Sequence, residues 1–151
     1  MKGDFQAFYC ALHGYNVCMN DSAENLARAF VKAVNRQDLE GLGELMTPNH
    51  RFVDSLNNVV EGREKMLAAW TGYFRMVPDY SVAVEEFFCV GSIVVMLGWA
   101  RGTYAPGGDL RPENHWETPL AVRALVEDGR VAEWRAYADN EPMRQMMKSA
   151  G

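Results

Sequence analysis

Cysteine is scarce: Cys10, Cys18 and Cys89 are the whole set in 151 residues. The number is odd and no Cys-x-x-Cys pair occurs, which argues against a disulfide scaffold, a zinc ribbon and a thioredoxin-like motif. Positive charge is also short. Fifteen Lys and Arg face twenty Asp and Glu, a net charge of −5 with His neutral. No cation excess is left to displace counterions from nucleic acid or to hold an anionic membrane. The longest uncharged apolar stretch, Ile93 to Ala100, is under half of the roughly 20 residues that cross a bilayer. The first 18 residues carry one Lys and a broken apolar run without a small-residue cleavage pattern, so the cytoplasm is the expected compartment. Gly107-Gly108 lies between strands without the helix a phosphate loop needs. Internal repeats and low-complexity tracts are absent.

What is present is ordinary globular composition, 48% hydrophobic and 23% charged, enough for one domain with a real core. Residues 1–21 read as an N-terminal extension and 22–151 as the domain. Met19 is a candidate native start; the alternative is an arm that packs Phe5, Phe8 and Tyr9 on the domain. Leu26, Phe30, Ala33 and Val34 recur at helical spacing over 22–36. Asp38 can cap a second short helix that ends before Pro48, and 50–55 alternates as a short strand followed by Val59-Val60. A third helix runs from Gly62 to about Met76, with Met66, Trp70, Tyr73 and Phe74 on one stripe. The period then changes to two: 80–90, 92–104, 111–126 and 130–137 read as strands, joined through Gly91-Ser92, Ala105–Asp109 and Glu127-Asp128-Gly129. Helices first and a meander afterwards predict an α+β fold, with the space between helices and sheet as a natural cavity.

Three segments carry a family resemblance. They are Phe30-Val-Lys-Ala-Val-Asn-Arg-Gln-Asp38, His50-Arg-Phe-Val-Asp54 with Glu61-Gly-Arg63, and Glu127-Asp-Gly-Arg-Val-Ala-Glu-Trp-Arg-Ala-Tyr-Ala-Asp139. In order and separation they resemble the SnoaL-like, ketosteroid isomerase-like branch of the NTF2-like superfamily, across roughly 22–141. The resemblance implies a cystatin-like α+β cone, with N-terminal helices packed on a curved, mainly antiparallel sheet.

Asp54 shares a strand face with Phe52, and by resemblance it falls where ketosteroid isomerases place their catalytic base. Among apolar groups its pKa is expected to rise; the alternative is a turn aspartate bound to Asn57 or Asn58. The family's oxyanion donors match Phe30 and Ala121, which have nothing to donate, and a supporting family Tyr appears as Trp70. Steroid isomerisation is therefore disfavoured. Replacement donors are sought in Trp70, Trp99, Arg101, His115 and Glu117, with Trp134 as a further lining residue. Alternation puts His115, Glu117, Pro119 and Ala121 on one face, read as the pocket face. An epoxide-hydrolase arrangement is also disfavoured, since Thr103 and Ala136 stand where the resemblance expects carboxylates. Asp139 reads as a cap for the last helix.

These residues leave three readings. One is a cofactor-independent enzyme of isomerase, cyclase or lyase type on a small apolar carbonyl or polyketide-like compound, with Asp54 as base and no metal. The second is a non-catalytic protein that binds an apolar ligand. The third is a structural homodimer that covers one sheet face, and a dimer is compatible with all three.

Overall fold

In the computed structural model, residues 21–149 are described. The extension, the Met19 question, Cys10 and Cys18 lie outside them. The order is α1 (Asp21–Arg36), α2 (Leu39–Leu45), β1 (Met46–Val53), β2 (Val59–Glu61), α3 (Arg63–Met76), β3 (Ser81–Val90), β4 (Ile93–Thr103), β5 (His115–Glu127), β6 (Arg130–Ala138) and α4 (Glu141–Ser149).

The first helix buries Ala23, Ala27, Phe30 and Val34, positions that recur every three or four residues and so share one face. Its C-terminal turn anchors it. Asn35 Nδ2 donates to the Val82 carbonyl at 2.9 Å, and Val82 N–H donates to Asn35 Oδ1 at 2.7 Å. One amide thus stands in for a missing strand partner on β3, the edge of the sheet. Asp38 accepts from Gly41 N–H at 2.9 Å and starts α2, as its spacing predicts.

Six strands form one sheet in the order β2-β1-β6-β5-β4-β3. Every pairing is antiparallel except β1 with β6. The β5–β6 hairpin turns through Asp128 and Gly129, both at positive φ (50° and 70°), the twist-matched two-residue turn.

Two strand starts lie furthest from the sequence expectation. β1 begins at Met46, which pairs in parallel with Val131, and its ladder is irregular between Met46 and Arg51. Pro48 sits in that irregular stretch, where a missing N–H costs no ladder bond. β5 starts only at His115, because Pro112–Asn114 forms a 3₁₀ turn.

His50 is a buried titratable group beside the core. It is 0% exposed and lies under Phe30 with ring centroids 5.9 Å apart. Nδ1 donates to the Val131 carbonyl at 2.7 Å, while Nε2 is buried without a partner among the described residues. Burial holds its pKa below the ordinary 6.5, outweighing the upward pull of the Val131 bond and of Glu133. The folded protein therefore binds this proton less readily than the unfolded chain. Stability is at its full value above about 6.5 and declines as pH falls from there toward the lowered folded pKa. Urea midpoints measured from pH 8 to 5 should show this decline, and His50→Phe should flatten it. An unchanged slope in the variant would assign the acid sensitivity elsewhere.

Candidate functional site

Between α1, α3 and the inner sheet face lies a cavity of about 370 Å³, within the range of small-molecule sites. Its wall is mainly apolar. Val31 and Val34 come from α1, Met66, Ala69 and Trp70 from α3, and Leu120, Val122, Trp134 and Ala136 from β5 and β6. Polar groups gather at the two ends.

At the mouth stands Asp54, just past β1, with Ser55, Asn140 and Arg144. The Ser55 hydroxyl accepts from Ala138 N–H at 2.9 Å and from Asn140 Nδ2 at 3.4 Å, which ties the turn to the end of β6. Asp54 Oδ1 accepts from the N–H groups of Leu56 (2.9 Å) and Asn58 (2.8 Å), and Oδ2 accepts from Asn58 Nδ2 at 2.9 Å. Asn57, at φ 66°, completes the turn and donates its N–H to the Asp54 carbonyl at 3.0 Å. Partial burial pulls the carboxyl upward, but the Asn58 and Leu56 hydrogen bonds and the charge of Arg144 outweigh it. Asp54 therefore titrates below the usual 3.8. The expected rise is corrected: the carboxylate shares the cavity with Phe52, yet the turn's donors set its proton affinity.

The other end is aromatic. Tyr80 lies between Trp70 and Trp116, with ring centroids 6.2 and 6.1 Å away, and meets Tyr73 edge-on at 5.0 Å. Phe74 stacks on Trp70 at 5.1 Å. Tyr73 Oη donates to Met143 Sδ at 3.7 Å, linking α3 to α4. The indole N–H groups of Trp70 and Trp116 are buried with no partner among the described residues. Burial raises the pKa of both phenols, with Tyr80 adding to the rise at Tyr73, so both stay protonated donors at physiological pH.

Of the residues expected at the site, Phe52, Asp54, Trp70 and Trp134 line the cavity. Phe30 is 1% exposed and stacks on Trp134 at 4.3 Å, behind the wall. The assignment of the β5 faces is corrected. Trp116, Thr118, Leu120 and Val122 point inward, while His115, Glu117, Pro119 and Ala121 face outward. The reason is energetic. The inward set is the apolar phase, and turning Glu117 and Arg123 inward would bury unpaired charge. On the outer face Arg101 lies 3.5 Å from Glu117, Trp99 Nε1 donates to Glu85 at 3.2 Å, and His115 Nδ1 is 3.2 Å from Thr103 Oγ1. Asp139 Oδ1 accepts from Glu141 N–H at 2.9 Å, at the start of α4 as expected. Sequence reasoning missed Tyr80 and Thr118 as lining groups. For Thr118 the signal was the run of apolar residues at even positions of β5, against charges at odd ones; Tyr80 has no such signal.

A family model described as the SnoaL-like domain matches residues 27–134. The chain belongs to the SnoaL-like domain family. Solved structures share its architecture. A candidate SnoaL-like polyketide cyclase from Jannaschia sp. CCS1 aligns with a TM-score of 0.74 at 23% identity, covering 87% of this chain and 95% of that one. IdmH, a candidate polyketide cyclase from Streptomyces antibioticus, gives 0.69 at 23%, covering 83% and 98%. A protein from Catenulispora acidiphila with a ketosteroid isomerase-like fold, in complex with trimethylamine, gives 0.64 at 17%, covering 74% and 83%. At such identities the likeness is one of fold, and it bears out the cystatin-like, NTF2-like architecture expected from the three sequence segments. No curated protein matches the chain by sequence. No helix among the described residues is long and apolar enough to cross a membrane.

The geometry at Asp54 has a direct test. Its carboxyl carbon, followed by NMR, should titrate with a midpoint below 3.8, and Asn58→Ala should move that midpoint upward by removing one donor. A midpoint above the ordinary value in the unmodified chain would contradict the turn's hold on the carboxylate.

Proposed function

We propose that this SnoaL-like chain is a cofactor-independent enzyme that moves a proton on a small, largely apolar carbonyl compound of polyketide-like kind, with Asp54 as acceptor. The observation that carries the reading is an ionised carboxylate on the rim of a mainly apolar cavity. The chemistry is of isomerase, cyclase or lyase type. The proton of an activated C–H passes to Asp54 Oδ2, and the electron pair moves onto the substrate's carbonyl oxygen. A carboxylate has about four acceptor positions. Three are filled by Leu56 and Asn58, which leaves one for the proton. Its low proton affinity makes Asp54 a weak base, so the C–H acid must itself be strongly activated. The polyketide-like class is supported by the family and by the candidate cyclase activities of its structural relatives.

Binding without chemistry is the second reading, and the three N–H contacts to Asp54 favour it, because they also suit a purely structural turn. One experiment separates the two. In D₂O, the chain should accelerate exchange of the α-protons of 2-tetralone, followed by proton NMR. Asp54→Asn should abolish the acceleration while the affinity for 2-tetralone changes by less than about threefold. Saturable binding with no exchange in the unmodified chain would favour the binding protein, and exchange retained in Asp54→Asn would remove Asp54 as the base.

We further propose that the outer sheet face pairs with a second copy. Leu97, Ala121 and Tyr137 form one cross-strand row, and Phe88 and Val95 continue the apolar surface. Leu97, Tyr137 and Phe88 are 36%, 51% and 40% exposed, which makes an apolar patch in want of cover. Charge on this face is divided. Arg51 and Arg123 flank Glu133 at 3.2 and 2.9 Å, while Glu85 and Glu86 lie toward the β3 edge. A two-fold axis would set one region against the other. Sedimentation should give twice the 17.0 kDa chain mass, and Leu97→Glu should give a folded monomer. A monomeric unmodified chain at micromolar concentration would overturn the pairing.

A further inference from the structure

A proton passed to Asp54 leaves negative charge on the substrate's carbonyl oxygen, and some group must hold it. Phe30 lies behind the wall and Ala121 faces outward, so neither position could supply a donor. The phenols stand at the aromatic end, away from Asp54. At the mouth, the cation among the lining residues is Arg144 of α4. Met143 and Met146 seat that helix on the core, and Asn140 Nδ2 reaches Ser55 Oγ at 3.4 Å, next to Asp54. The guanidinium is little used. Its ion pair is with Glu141 of the same helix, Nε to Oε2 at 3.9 Å, beyond hydrogen-bond reach. Arg144 and Asp54 make no direct ion pair among the described residues. The charge of Arg144 is nevertheless felt at the carboxylate, as the smallest of the influences that lower its pKa. Opposite charges thus stand at the mouth with a gap between them.

We infer that Arg144 is a second catalytic residue, its guanidinium donating to the substrate's carbonyl oxygen while Asp54 takes the proton from the adjacent carbon. Resting on Asp54 as base, this role adds the group that receives the other half of the charge. The oxygen of a carbonyl lies about 2.4 Å from its α-carbon. A direct Arg–Asp pair would leave no room for that unit, and the gap does. Within it the C–H bond breaks toward Asp54, a C=C bond forms and the carbonyl π pair moves onto the oxygen. The reverse step returns a proton to the carbon. A guanidinium suits the task because it is always charged and offers five donors in a fixed fork. Its charge acts in opposite senses on the two partners, weakening Asp54 as a base and stabilising the enolate. The second effect prevails, because the oxygen is in contact with the guanidinium and the carboxylate is held off. With its side chain 46% exposed, Arg144 is partly screened by water, so it contributes less than an enclosed donor.

The test combines exchange of 2-tetralone in D₂O with 2-naphthol, a stable mimic of its enolate. Arg144→Gln should slow exchange about 10- to 100-fold, chiefly in kcat. Arg144→Lys, which keeps the charge but not the fork, should recover part of the loss. Bound 2-naphthol, followed by its fluorescence, should ionise about one pH unit lower in the unmodified chain than in Arg144→Gln, a tenfold difference in proton affinity. A residue that only seated α4 would leave that ionisation where it was. Exchange unchanged in Arg144→Gln, or naphthol that fails to bind or ionises at the same pH in both chains, would overturn the role of Arg144 and leave Asp54 as the base. No exchange in the unmodified chain would overturn both.

Discussion

On β5 the side chains of Trp116, Thr118, Leu120 and Val122 point beneath the helices, and the rest of the molecule is arranged around that choice. A strand has two faces and a period of two, so a slip of one residue would exchange every inward group for its outward neighbour. The central strand pairs with β4 on one side and β6 on the other, which extends its phase to both. Trp134 and Ala136 then face the cavity with it, while Glu133 and Arg135 face away. The cost of burying Glu117 or Arg123 holds the phase. One alternation therefore gives the chain both a mainly apolar hollow and a half-apolar, half-charged outer face.

The ends of the hollow differ because different local rules build them. The mouth is a turn, where Asp54 gathers N–H donors from the residues just after it, the common behaviour of an aspartate at a chain reversal. Its proton affinity is set by that turn and by Arg144 more than by the apolar wall behind it. The far end is built by helix and strand side chains with no ionisable partner, and there burial works alone, keeping phenols protonated. A carboxylate held ionised by its turn at one end and neutral donors at the other give the cavity a direction.

Much of the architecture was legible in the sequence because local chemistry dictates it. The helical spacing from Leu26 to Val34, the cap at Asp38 and the Asp128-Gly129 turn each act within a few residues. The family resemblance, carried by three short segments, gave the fold. What stayed hidden depended on distance along the chain. The parallel pairing of Met46 with Val131 cannot be read from either segment alone, and it moved the start of β1. The inward face of β5 was legible in its alternation of apolar and charged residues, but placing it by analogy with the family's positions selected the wrong phase. Tyr80 carries no local mark at all. Its role comes from lying between Trp70 and Trp116, residues from two other elements.

The central claim is that the hollow holds an apolar carbonyl ligand with its activated C–H at Asp54. A crystal structure of the chain bound to 2-acetylnaphthalene tests it most directly. The account predicts the acetyl methyl carbon within about 3.5 Å of an Asp54 carboxylate oxygen, with the naphthalene ring along the apolar wall. An acetyl group turned away from Asp54, or a ligand seated on the outer face of the sheet, would contradict it.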